Sequence, residues 1–174
     1  MSDPTNMAVS GRPARARSIF HVGFVVRDLD VSLRFYCEGL GLVLRHRQLQ
    51  HNAYTGSLVG YPDAALEIAQ LRLSDVEPPP SGHVLELICY ERPPSGLVDL
   101  ERSTIGAGHL AFVVDDIFET AERLKTLGAK LINEPIYITE GINTGGRAVY
   151  LYDPDGVCLE LQQLPGDSEA ASHG

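Results

Sequence analysis

HVGFVVRDLDVSLRFYCEGLGLVL, residues 21–44, returns as HLAFVVDDIFETAERLKTLGAKLI at residues 109–132. Each copy opens on a histidine followed by a β-branched and aromatic run, which reads as a strand. An aspartate then stands where a helix would be capped: Asp28 or Asp30 in the first copy, Asp116 in the second. Val31, Leu33, Phe35 and Tyr36 lie at helical spacing before Gly39 and Gly41, as do Ile117, Ala121 and Leu124 before Gly128. Each copy has a later strand with a glutamate at its centre, HVLELICY around Glu86 and VCLELQQL around Glu160. Two half-domains therefore each offer one histidine and one glutamate at matching places.

The rest of the chain is organised around this duplication. LVLRHRQL at 42–49 alternates as a strand with one wetter face. YTGSLVGYPDAALEIAQLRL at 54–73 suggests two strands around a Pro62-Asp63 turn, and Glu86's strand follows the Pro78–Pro80 breaker. In the second copy KLINEPIYI, RAVYLYD and VCLELQQL read as strands, with Asp153-Pro154-Asp155-Gly156 as a tight turn. The expected fold is α+β: two tandem βαβββ modules, residues 19–92 and 109–165, whose mixed sheets curl into a cup. A Pro- and Gly-marked linker at 93–108 joins them. Residues 1–18, which carry Arg12, Arg15 and Arg17, read as a disordered arm, and 166–174 as a disordered tail.

Bulk properties narrow the function classes. A chain of 174 residues fits one compact unit or two small modules sharing a core. The net charge of −9 disfavours nucleic acid. No apolar run has the length of a membrane span, and the N-terminal stretch lacks the apolar core of a signal peptide. Cys37, Cys89 and Cys158 cannot all pair within one chain, and two sit in apolar strand patterns. They read as reduced, buried thiols, which points to the cytoplasm.

The sharpest chemistry lies in the matched pairs. Side chains alternate along a strand, so His21 shares a face with Gly23 and Val25, and Glu86 with Val84 and Ile88. A glutamate inside Leu-Glu-Leu, with no adjacent lysine or arginine, costs several kcal/mol if buried unpaired. One such glutamate can simply face water at a sheet edge. Two in matching places, each matched to a histidine, favour a divalent metal site built from His21, Glu86, His109 and Glu160.

The motifs HVGFVVRDLDVSLRFYCEGLGL, Leu85-Glu86-Leu87, GHLAFVVDDI and DPDGVCLEL resemble those of the vicinal oxygen chelate superfamily. That superfamily includes glyoxalase I, methylmalonyl-CoA epimerase, fosfomycin-resistance enzymes, extradiol dioxygenases and bleomycin-resistance proteins. The resemblance spans about Ile19 to Pro165. It implies paired βαβββ modules around one divalent ion, with His21, Glu86, His109 and Glu160 as ligands. A carboxylate at Glu86 looks like glyoxalase I and the epimerase, where the ion acts as a Lewis acid and a carboxylate moves a proton. The family assembles its cup either from both modules of one chain or from modules of two chains. Typical bacterial glyoxalase I carries an arginine four residues after the first histidine and an asparagine four after the first glutamate. This chain has Val25 and Tyr90 there, a departure that puts glutathione recognition in doubt.

The expected activity is therefore that of a metal-dependent, glyoxalase-like lyase or isomerase using metal-stabilised enediolate and proton transfer on a small oxygenated substrate. Glu160 and Glu86 are the candidate bases, and the ion is Ni²⁺, Co²⁺, Mn²⁺ or Zn²⁺. The alternatives are an extradiol-type dioxygenase with Fe²⁺ on His21, His109 and Glu160, and a non-catalytic protein that sequesters a small molecule. A homodimer is expected, with neither nucleic acid nor membrane as partner. Asn52, Tyr54 and Thr55 either line the pocket or are ordinary turn and strand residues. Asn143 to Arg147 form either a loop that closes over substrate, with Arg147 meeting an anionic group, or a plain surface hairpin. Tyr150 either donates to a bound oxygen or packs in the core. His46, His51 and His83 lack matched partners and read as surface or pocket-rim residues.

Overall fold

The computed structural model describes residues 15–97 and 101–166. Most of the expected arm and tail thus lies outside the described residues. The first half runs β1 (Val22–Val25), α1 (Leu29–Arg34), β2 (Val43–Gln50), α2 (Ala53–Val59), β3 (Ala65–Arg72) and β4 (Leu85–Arg92). The second runs β5 (Leu110–Val113), α3 (Ile117–Thr126), β6 (Lys130–Leu131), β7 (Ile136–Tyr137), β8 (Arg147–Tyr152) and β9 (Cys158–Gln163). The strands form two mixed sheets, ordered β1-β4-β3-β2 and β5-β9-β8-β6, with β7 also on β8. This is the α+β, duplicated βαβββ pattern read from the sequence.

The capping chemistry follows the sequence closely. Asp28 accepts from the amides of Asp30 and Val31 at the start of α1, and Asp116 accepts from those of Phe118 and Glu119 at the start of α3. Of the two candidate caps in the first half, Asp28 is the one used. Beyond α1 the chain makes one wider turn over Phe35–Gly39. A Cβ on Gly39 would fall 2.5 Å from Leu124 Cδ2, so only glycine lets this turn approach α3 so closely.

Two expected strands differ. Residues 53–59 form a helix, because Asn52 accepts from the Thr55 amide and Gly60 closes the last turn at φ +79°. Only Ala65–Arg72 of that tract is a strand. KLINEPIYI is split into β6 and β7 around Asn133-Glu134-Pro135, where proline has no N–H to give to β8.

Both halves share one core. Tyr36, Leu71, Leu85 and Leu87 lie in the same buried cluster as Ile117, Leu124, Leu151, Leu159 and Leu161. Each such side chain contributes about 1.5–3 kcal/mol on burial. Polar contacts stitch the same seam. Arg27 forms an ion pair with Asp155, and the Tyr36 hydroxyl donates to Asp153 Oδ2 at 2.9 Å. Asp153 Oδ1 accepts from the amides of Asp155 and Val157, which closes the Asp-Pro-Asp-Gly turn. Burial raises the Asp153 carboxyl above its ordinary range, while these hydrogen bonds pull it down.

Among the described residues no helix is long and apolar enough to cross a membrane. The three cysteines are unpaired and half-buried rather than fully buried, and burial raises each thiol above its usual range.

Tyr36→Phe leaves the buried Asp153 carboxylate short of one donor. It should destabilise the protein by about 1–3 kcal/mol. The hydrogen bond favours the charged form, so the loss should be larger near neutral pH than at pH values where Asp153 is protonated. Urea unfolding checks this, and an unchanged midpoint at neutral pH contradicts it.

Candidate functional site

The two halves build the same local frame. β1 and β4 pair in parallel with Gly23 opposite Glu86, and β5 and β9 pair in parallel with Ala111 opposite Glu160. Each glutamate therefore sits beside the residue two places after its histidine. Neighbours across a ladder share a face, so His21 is brought to Glu86 and His109 to Glu160. His21 Nε2 lies 3.8 Å from Glu86 Oε1, and His109 Nε2 lies 3.1 Å from Glu160 Oε2.

The third strand of each sheet adds one more polar group at the matching place. Gln70 is opposite Glu86 and donates from Nε2 to its Oε2 at 3.3 Å. Tyr150 is opposite Glu160, with its hydroxyl 3.4 Å from His109 Nε2. Burial, together with a hydrogen bond to Glu160, raises the Tyr150 phenol, so it stays protonated near neutrality. Gln162 Nε2 donates to Glu160 Oε1 at 2.6 Å, and Asn143 Nδ2 donates in turn to Gln162 Oε1 at 3.0 Å. The 143–147 loop is thereby tied to the glutamate through one intermediate side chain.

The neighbours of each glutamate point the other way. Leu85 and Leu87 flank Glu86, and Leu159 and Leu161 flank Glu160, and all four leucines are in the common core. Both histidine–glutamate pairs thus lie on sheet faces turned away from that core. Among the described residues, the one group of three or more potential metal-binding side chains is His21, His83 and Glu86, and it contains nothing from the second half. The four residues read as ligands form two pairs within a chain, not one cluster.

The remaining expected residues are placed as follows. Tyr54 is 69% exposed on α2. Thr55 is fully buried, its amide and hydroxyl both engaged with Asn52. Arg147 stands on the Val149 side of β8, opposite to Tyr150, with its guanidinium over the Phe118 and Tyr137 rings at 5.1 and 5.7 Å. His46 and His51 are exposed. His83, expected at the surface or rim, is instead buried at 2% exposure. It precedes β4 and packs under His21, a position that no sequence periodicity marks. Beside His109, a cavity of about 420 Å³ is walled by Arg102, Tyr150, Tyr152 and Cys158 among others. The Arg102 guanidinium donates to the Tyr152 hydroxyl at 3.0 Å. Arg102 went unread because its loop has no periodic signal.

The donor set suits a divalent cation. Imidazole nitrogens face carboxylate oxygens in both pairs, and His83 Nε2, which faces Glu86, is buried without a hydrogen-bond partner among the described residues. Mixed nitrogen and oxygen donors of this kind fit first-row divalent ions.

The sequence profile of the glyoxalase/bleomycin resistance protein/dioxygenase superfamily matches residues 18–161. The chain belongs to this superfamily. A 2-epi-5-epi-valiolone epimerase from Actinomyces sp. is 34% identical over 154 residues, covering 86% of this chain and 81% of that protein. A probable lactoylglutathione lyase from Vibrio cholerae serotype O1 is 31% identical over 146 residues, covering 83% and 89% respectively. A crystal structure of a glyoxalase family protein from Bacillus cereus superposes with a TM-score of 0.74 at 26% identity, over 90% of this chain and 100% of that one. Named relatives in the superfamily thus include glyoxalase-type lyases and an epimerase.

Proposed function

We propose that this superfamily member is a metal-dependent lyase or isomerase that moves a carbon-bound proton on a small oxygenated substrate. The observation that carries this reading is the identical register of the two halves, which sets one histidine–glutamate pair on each. His21, Glu86, His109 and Glu160 would hold the divalent ion. That ion would supply Lewis-acid polarisation of a substrate carbonyl.

The chain's own residues supply the rest. Glu160 is 8% exposed and is oriented by Gln162 and His109, which fits a carboxylate held ready to act as a base. It would take the proton from the carbon next to the carbonyl, while the C–H electron pair moves toward the carbonyl oxygen. Where that carbon also bears a hydroxyl, the hydroxyl proton passes to the former carbonyl oxygen and the abstracted proton returns to the former carbonyl carbon. The hydroxyl carbon becomes the new carbonyl, which is an isomerisation. Return of the proton to the opposite face of the original carbon gives an epimerisation. Glu86 is the alternative base. Tyr150, protonated and adjacent, can donate to a substrate oxygen. Arg102 brings a cation to the cavity wall and suits an anionic group on the substrate.

Within one chain the two pairs lie on faces turned from the shared core. The reading therefore takes the site as completed by a second copy, with His21 and Glu86 of one chain meeting His109 and Glu160 of the other. A two-fold dimer builds two such sites at once. Sedimentation of the metal-loaded protein should show a dimer at micromolar concentration. A monomer that retains metal and activity would contradict this.

Ni²⁺, Co²⁺, Mn²⁺ or Zn²⁺ at a hundredfold above its dissociation constant should stabilise the fold by about 2.7 kcal/mol. An unchanged melting temperature with all four ions would remove the metal from the mechanism. Glu160→Gln should lower turnover by about 10²–10⁴-fold while substrate affinity changes little. The assay is proton exchange in deuterated water, with whichever 2-oxoaldehyde adduct or acyl-CoA thioester the wild type accepts. Wild-type exchange in the variant would move the base to Glu86.

A further inference from the structure

His83 enters β4 from the Ser81-Gly82 turn and is almost completely buried. Its Nδ1 lies 3.2 Å from the Ser81 carbonyl oxygen. A carbonyl only accepts, so Nδ1 donates to it and Nε2 is the nitrogen left facing Glu86. That Nε2 is buried without a hydrogen-bond partner and stands 3.6 Å from Glu86 Oε2. The His21 ring stacks on the His83 ring at 4.8 Å with 27° between planes.

An imidazole nitrogen turned toward a carboxylate oxygen calls for a positive charge between them, which a proton or a metal cation can supply. The spacing admits an ion there. Two donors bound to one cation at about 2.0–2.2 Å each stand at most about 4.4 Å apart. The 3.8 Å from His21 to Glu86 and the 3.6 Å from His83 to Glu86 fall inside that limit. All three donor atoms lie within 4.8 Å of one another, so closing the set needs only a small side-chain shift. The hydrogen bond from Nδ1 to a backbone carbonyl is also what fixes the tautomer and aim of a metal-binding imidazole.

We propose that His83 is a third protein donor from the first half to the divalent ion, alongside His21 and Glu86. This rests on the reading that the histidine–glutamate pairs hold such an ion. The second half has no counterpart, because the residue three places before Glu160 is Val157. The two halves are then unequal in role. The first, with three donors, anchors the ion. The second would contribute fewer donors, His109 and Glu160.

The test uses the full chain, with Co²⁺ alone as the probe. Titration is followed by calorimetry and by the visible absorption of the bound ion. His83→Gln should weaken Co²⁺ binding by about tenfold or more and change the absorption band. Apo-protein circular dichroism and melting should match the wild type. Should His83→Gln fail to fold, proton NMR of the Co²⁺-loaded wild type decides alone. Three exchangeable imidazole N–H signals with contact shifts, from His21, His83 and His109, are expected. Two such signals, or an unchanged absorption band in a folded His83→Gln protein, would overturn the proposal and leave His83 as a neighbour of Glu86, with the metal reading intact. No Co²⁺ uptake by the wild type would overturn both.

Discussion

The parallel pairing of β1 with β4 and of β5 with β9 is the constraint on which the rest of this molecule depends. A parallel ladder with Gly23 opposite Glu86, and Ala111 opposite Glu160, carries each histidine to its glutamate. A slip of one residue would exchange faces. The glutamates would then enter the core and Leu85, Leu87, Leu159 and Leu161 would leave it. Core packing and site geometry are thus set by the same hydrogen bonds. The leucines that hold the two halves together make a slipped register expensive, and the registered ladder in turn keeps two carboxylates on the faces turned from the core.

The shared core has a second consequence. Because both sheets press their apolar faces into one cluster, their polar faces cannot also meet through it. Tyr36 with Asp153 and Arg27 with Asp155 lock the same seam. A chain folded this way carries two histidine–glutamate pairs, each with one more polar group from the third strand. On the proposed reading a second copy completes each site, so assembly and chemistry become one question.

Much of the fold was legible because the signals were local and doubled. The histidine-led strands, the Asp28 and Asp116 caps and the Leu-Glu-Leu strands appear twice, and the structure places them as read. The α2 helix was missed because Asn52 and Gly60 bound a short tract without clear helical periodicity, so the cap chemistry outweighed the pattern. The split of β6 from β7 follows from one missing N–H at Pro135. Within the site, side chains paired by duplication could be found from sequence. His83, Gln70 and Arg102 could not, since each reaches its place through contacts that only one half makes or that run between strands, whereas Gln162 shares a strand face with Glu160 two residues away. Arg147, readable from sequence either as a substrate contact or as part of a plain surface hairpin, has its guanidinium over the Phe118 and Tyr137 rings.

The central claim is that the two pairs on one chain serve two different sites, each joined to the complementary pair of a second copy around one ion. Anomalous diffraction from crystals grown with Mn²⁺ or Co²⁺ tests this most directly. The account predicts one peak per chain, with His21 and Glu86 of one copy on one side and His109 and Glu160 of the other copy facing them. A peak bounded by all four residues of a single chain, or by none of them, would contradict it.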